Sequence, residues 1–422
     1  MKRWIACILA LMLSFSCTAM AETAAGSFDP AKAEMLNDFE HTWFLSDAHE
    51  YQHPLCLASI QLAQAAFRGD DAAPDASIRQ YLKSHGFSQP RIDEYALKTA
   101  DTIGTAIAHR TVGEGNQERT LVVIAVCGGN YSMEWLSNFD VGLESVHKGF
   151  GDSARKIVSR VQEYLSAHQI HDPLFWITGY SRAAAVSNLT AAFLSQEGIA
   201  DDASIFCYTF ATPRTVIGSD AANAHQNIFN IVNNADLVPH VPLAAWGYGW
   251  YGRTLYLPSS LTETLDYAAM LPAFESAYSY LAGDNPLPGI DASLIEANFL
   301  PGGDASFADK AVMCARGMAL SAGTPKKYAD HYQAILNKVF TGEEMQKAEQ
   351  LLMVTMLMNA ANTALKKEGV VISVTSDLEN ALAALSPLVP VLMQHMPQIY
   401  TGWLLSIDDA SILTDHLPAL TK

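Results

Sequence analysis

Residues 175–189 read Phe-Trp-Ile-Thr-Gly-Tyr-Ser-Arg-Ala-Ala-Ala-Val-Ser-Asn-Leu, and their reading decides the fold. Phe175 through Thr178 forms a short apolar strand, and the alanine-rich run from Arg182 to Leu194 forms a helix. Between them, Gly179-Tyr180-Ser181-Arg182-Ala183 leaves room only for a sharp strand-to-helix turn. Such a turn lifts a serine hydroxyl above the end of a sheet. Small residues two before and two after the serine let the two backbones approach. Gly179 meets the first need, and Ala183 stands where a second glycine is usual, adding one methyl group. The helix start also directs the Arg182 amide to where an oxyanion would develop. The pentapeptide alone is common by chance, so its weight comes from the strand before it and the helix after it.

The flanking sequence repeats the alternation. Thr120 to Val126 is a continuous β-branched run, the pattern of a strand covered on both faces. Ser153 to His168 reads as a helix, Ser204 to Phe210 as a strand, and Ile228 to Val232 as another. Strand and helix in turn predict a mostly parallel sheet with helices on both faces, an α/β architecture. Pro54 to Phe67 is apolar at helical spacing, and the stretch from there to Val112 suggests further helices, broken around residues 86–90. Beyond Leu257 the pattern turns helical from about 259 to 385, including a long methionine-bearing helix from Glu343 to Lys367. Methionines at that spacing read as core packing or as an adaptable surface for an acyl chain.

Composition bounds the class. The 422 residues are 50% hydrophobic and only 17% charged, a chain with much to bury. With 44 acidic against 26 basic residues the net charge is -18, which repels phosphate backbones, so no nucleic-acid partner is expected. Lys2 and Arg3, an apolar stretch from Trp4 to Phe15, and Ala19-Met20-Ala21 read as a signal peptide over residues 1–21, hence export to the periplasm or medium. Four cysteines follow it, Cys56, Cys127, Cys207 and Cys314, without metal-ligand spacing. No histidine or carboxylate cluster suggests a metal, and the chemistry at Ser181 needs no cofactor.

The same segments resemble a known family, the fungal-type (class 3) lipases with their secreted bacterial relatives, within the α/β-hydrolase superfamily. Residues 175–189 are similar to the stretch around that family's nucleophile. Val122 to Gly129 resembles the strand ending in its oxyanion turn, followed by Glu134-Trp135 and Asn138. Val146-His-Lys-Gly-Phe150, Phe210-Ala-Thr-Pro-Arg214 and Asn233-Asn-Ala-Asp-Leu-Val-Pro239 resemble further family elements in order. The resemblance covers roughly 120–257. Together with the helical pattern beyond Leu257, and with a base near the C-terminal end, it reads as an α/β-hydrolase core over 22–258, a large helical insertion or cap over 259–385, and a return to the core over 386–422.

A serine hydroxyl needs a base within reach and a carboxylate to orient that base, in the chain order Ser, acid, His. The resemblance makes Asp236 the acid. His331, His395 and His416 all follow it, and His240 lies too close. A histidine followed by a tyrosine on the next helix, as in similar bacterial relatives, favours His395, with His331 next. Two departures stand out: where the family has arginine before the oxyanion glycine and a hydroxyl residue after it, this chain has Cys127 and Gly129. The hole is therefore expected from two amides, those of Gly129 and Arg182. The implied function is hydrolysis of a carboxylic ester, as a lipase or esterase acting on an acylglycerol or other acyl lipid, with transient contact to a lipid interface. An acyltransferase or thioesterase would use the same triad. The departures would suit a catalytically silent binding or surface protein that keeps the fold. A sheet ordered this way also sets Cys127 and Cys207 on strands to either side of the nucleophile strand, about 9.6 Å apart and beyond disulfide reach.

Overall fold

The computed structural model describes residues 31–99, 101–128, 145–218, 220–236, 238–242, 248–259, 267–283, 287, 394–407 and 413. Its centre is a seven-stranded sheet made of β1 (Ser88–Asp93), β2 (Thr105–Val112), β3 (Arg119–Val126), β4 (Leu174–Tyr180), β5 (Ile205–Phe210), β7 (Ile228–Val232) and β9 (Arg253–Tyr256), neighbours in that order. From β3 to β9 every pairing is parallel, while β1–β2 and β2–β3 are antiparallel. A two-residue ladder, β6 (Val216–Ile217) with β8 (Tyr248–Gly249), stands apart. The mostly parallel sheet predicted from the alternation is therefore present.

The strands are apolar on both faces because both faces are covered. Along β4, Leu174, Trp176 and Tyr180 enter one core while Phe175 and Ile177 enter the other, and β3 and β5 divide in the same way. The first core is filled by α1 (His53–Ala65), α2 (Ala76–Ser84), α5 (Tyr267–Ala282) and α6 (Pro397–Ser406); the second by α3 (Lys148–His168) and α4 (Arg182–Gln196). Helix α4 is buried from Arg182 to Leu194, which explains its alanines: it lies between the sheet and α3, where larger side chains would hold the layers apart.

The helices expected between Phe67 and Val112 are corrected in part. Residues 76–84 form α2, but 88–93 and 105–112 are β1 and β2. The signal is weak for a physical reason. β1 is an edge strand whose Ser88, Gln89 and Pro90 are exposed, polar or unable to donate, as sheet edges tolerate. β2 owes its conformation to full pairing with β3, from Thr105 opposite Val126 to Val112 opposite Arg119, a tertiary choice that propensity does not encode.

Cys127 follows β3 and Cys207 lies in β5, on opposite sides of β4. Cys56 and Cys207 are buried free thiols. Cys314, residues 1–21 read from sequence as a signal peptide, most of residues 259–385 including the stretch 343–367 read as a helix, and the alternative histidines His331 and His416 lie outside the described residues. No helix among the described residues is long and apolar enough to cross a membrane.

Candidate active site

Strand β4 and helix α4 meet at a single residue. Ser181 has φ 60° and ψ -128°, a conformation L-residues rarely adopt, and it turns the chain from strand into helix with no linker. The surroundings hold it there. The Ser181 amide donates to Phe210 O at 2.9 Å, and the amides of Ala184 and Ala185 donate to Ser181 O at 2.9 and 3.2 Å. A Cβ at Gly179 would sit 2.5 Å from Ala183 O and 2.7 Å from Ser187 Oγ, so only glycine fits. At the other small position, Ala183 is accommodated with its methyl fully buried.

Above this turn the side chains form a connected line. Ser181 Oγ lies 2.8 Å from His395 Nε2, and His395 Nδ1 lies 2.7 Å from Asp236 Oδ2. An ionised carboxylate can only accept, so Nδ1 carries the proton and the lone pair of Nε2 faces the serine hydroxyl. That tautomer allows Nε2 to take the proton of Ser181. Asp236 is buried, with 1% exposure. Its Oδ1 accepts the Val238 amide at 2.9 Å, and its Oδ2 also accepts the Tyr400 hydroxyl at 2.7 Å. Tyr400 O in turn accepts the Asn233 amide at 3.2 Å. Burial and the charge of Asp236 hold the phenols of Tyr400 and Tyr180 well above their ordinary range, so both remain protonated donors.

The loop that carries His395 is pinned at several points. Tyr180 OH donates to His395 O at 3.0 Å, and its ring lies 5.5 Å from the imidazole and 5.4 Å from the Tyr400 ring. Asn233 Nδ2 donates to Gln394 O at 3.3 Å and to its Oε1 at 3.2 Å. Pro397 opens α6 immediately afterwards. His53 Nε2 contacts Leu404 O at 3.0 Å, and Gln64 Nε2 donates to Thr401 Oγ1 at 3.1 Å, so α1 holds α6 in place. On the far side Trp403 stacks on Phe274 of α5, with centres 4.0 Å apart and planes 5° from parallel.

Of the residues singled out from sequence, Ser181, Asp236 and His395 are brought together, and Arg182 opens α4 directly behind the serine. Gly129 lies outside the described residues. Gly128 before it is buried, and a Cβ there would fall 2.2 Å from the Phe67 ring, so a larger residue at 128 would displace that ring. His240 does not face the serine: its Nε2 contacts Asn234 O at 3.0 Å. Tyr180, Asn233 and the hydroxyl role of Tyr400 were not found from sequence. Only the tyrosine after the histidine left a trace, because the donors converge through tertiary contacts. Among the described residues no group of three or more acidic, histidine or cysteine side chains could hold a metal ion.

A buried acid, an oriented imidazole and a serine at a strained strand-to-helix turn over a parallel sheet define a serine hydrolase of the α/β-hydrolase class. Residues 123–246 match the family model described as Lipase (class 3), so over this stretch the chain is similar to the class 3 lipases, and the match agrees with a carboxylic ester hydrolase. It is 26% identical to the secreted mono- and diacylglycerol lipase 1 of Fusarium solani over 56% of its own length and 73% of that protein. It is 27% identical to a lipase of Rhizomucor miehei over 40% of its length, spanning about half of that relative (51%). Among solved structures, a triacylglycerol lipase described as having a serine protease triad matches 48% of this chain at 20% identity, with a TM-score of 0.37.

Proposed function

We propose that the chain is an exported lipase that cleaves acylglycerol esters through an acyl-enzyme on Ser181. The observation that carries the reading is the unbroken line from Ser181 Oγ to His395 Nε2 and from His395 Nδ1 to Asp236, at 2.8 and 2.7 Å. Ser181 attacks the ester carbonyl as His395 takes its proton. The imidazolium so formed is stabilised by Asp236 and then protonates the departing alcohol. Water, activated by the same imidazole, releases the acid. The oxyanion is held by the amides of Gly129 and Arg182, the latter at the positive end of α4. This mechanism speaks against a silent binding protein, since a catalytically idle site has no need of the strained Ser181 backbone or the correct imidazole tautomer.

The acylglycerol substrate is supported by the name of the Fusarium relative, a mono- and diacylglycerol lipase. Export is supported by the basic and apolar start of the chain and by the secreted Fusarium protein. The segment 259–385 is proposed as the surface that meets the acyl chain; its described helix α5 packs on α6, the helix that follows His395.

The test is direct. A fluorophosphonate probe should label the wild type, and the Ser181→Ala variant should not react. p-Nitrophenyl esters of rising chain length, with mono-, di- and triacylglycerols beside them, then define the substrate. Absence of labelling on folded wild-type protein would overturn the enzymatic reading. Labelling with turnover of short esters alone would overturn the acylglycerol assignment and leave an esterase.

A further inference from the structure

Away from the triad, two histidines meet across the sheet and α3. His109 lies on β2 opposite Val122 of β3, and His168 is the last residue of α3. Their ring centres are 5.3 Å apart, with planes at 53°. The hydrogen bonds of the first ring fix its tautomer. Tyr164 OH donates its single proton to Gln89 O at 2.9 Å, so at 2.8 Å from His109 Nδ1 the phenol oxygen must accept. His109 Nδ1 therefore carries the hydrogen, and the lone pair of Nε2 is left available. Neither that nitrogen nor either nitrogen of His168 has a hydrogen-bond partner among the described residues. His168 is exposed, and His109 is partly so.

We propose that His109 and His168 form a two-imidazole site for a zinc-class divalent cation, with water completing its coordination. Metal–nitrogen bonds of about 2.0–2.1 Å at a near-tetrahedral angle put two ligating rings roughly 5 Å apart from centre to centre, as observed here. The Tyr164 hydroxyl is the outer partner that ligating histidines typically have: it accepts a hydrogen bond from Nδ1–H and fixes the tautomer of the ring. Oxygen-seeking cations such as magnesium and calcium find no carboxylate in this pair and are not bound. The cation would tie β2 to the end of α3. Because His109 pairs with Val122 while Thr105 pairs with Val126, the site lies toward the end of the sheet away from Ser181.

The experiment is a titration of the mature protein with zinc chloride at pH 7.5, read by calorimetry and by thermal unfolding, with magnesium chloride as control. One zinc ion per chain should bind with micromolar affinity, and 0.1 mM zinc should raise Tm by about 2–4 °C. His168→Gln changes an exposed residue and should fold normally, keep full ester hydrolysis, and lose both the binding and the Tm rise. His109→Gln should behave alike. Absence of zinc binding by the wild type would overturn the proposal, as would binding unchanged in His168→Gln.

Discussion

Ser181 and His395 sit 2.8 Å apart but are placed by different means. The nucleophile is fixed by its neighbours in sequence. Gly179, Ala183 and the α4 amides on Ser181 O are all within four residues, and the Ser181 amide adds a distant backbone tie to Phe210 O. The base is held by residues far from it in the chain: Tyr180 on its carbonyl, Asp236 on its ring, Asn233 on Gln394, and His53 and Gln64 of α1 on α6. A short local turn thus carries the strain, while a distributed set of contacts supplies the orientation. The turn should therefore fail all at once when disturbed, and the base side should fail by degrees.

The largest expected effect tests the turn chemically. Ser181→Ala removes the attacking oxygen while leaving the backbone geometry in place, and should lower kcat by about 10⁴-fold or more with unchanged Tm. A residual rate within tenfold of wild type would mean that another group attacks, and the comparison would lose its first member. Gly179→Val tests the same turn sterically. Its Cβ would meet Ala183 O and Ser187 Oγ, both of them atoms of α4, at distances no packed carbon tolerates. A loss of roughly 3 kcal/mol in denaturant unfolding is expected, at the upper end of overpacking costs, together with loss of activity. Near-normal stability would show that α4 can shift and that the turn is less constrained than its geometry implies.

This contrast also explains what could be read in the sequence. The β3, β4, α4 and β7 assignments follow local periodicity and match the structure to within a few residues, because buried parallel strands and an alanine-rich helix carry their own signal. The Gly179-to-Ala183 pattern marks a nucleophile for the same reason. His395 has no local signature; the choice over His331 came from a family resemblance, since its partners are spread over β4, the loop after β7, and α1. Tyr180 is hidden at an unconstrained position of the turn motif, and nothing in its neighbourhood indicates that its hydroxyl reaches the His395 carbonyl. β1 and β2 were read as helical because their pairing, rather than their composition, makes them strands.

On the base side, acid should act through His240. Burial, with a smaller contribution from Arg214, lowers its pKa from 6.5 to about 4. The unfolded chain takes up that proton near pH 6.5 and the folded chain resists until about pH 4, so between these values the unfolded state binds more protons. The stability is complete above pH 6.5 and declines as pH falls toward 4. Between pH 7 and pH 5 the loss is about 2 kcal/mol. His240→Gln keeps a donor for Asn234 O but does not titrate, so urea unfolding across this range should show a visibly flatter slope. An unchanged slope would move the acid sensitivity elsewhere and leave the acid loop as firm as the turn.

Tyr400→Phe has the smallest expected effect and isolates orientation from chemistry. The substitution leaves Ser181, His395 and Asp236 in place and removes one of the donors to Asp236 Oδ2. A hydrogen bond to a buried charged group contributes about 1.5–3 kcal/mol. His395 Nδ1 and the Val238 amide still hold the carboxylate, so only part of that should reach the transition state. The expectation is a fall in kcat of about tenfold at unchanged KM, because Tyr400 is fully buried and touches no substrate. A purely structural role would instead lower Tm, through the Asn233 amide left without its acceptor, and leave kcat of the folded fraction intact. The NMR resonance of the His395 Nδ1 proton separates the two, since it responds to the charge held on Asp236 and not to global stability. A shifted resonance with reduced kcat would show orientation distributed over several weak supports. An unshifted resonance with normal kcat would mean that the histidine and the Val238 amide hold Asp236 unaided, and that the base is fixed as tightly as the nucleophile.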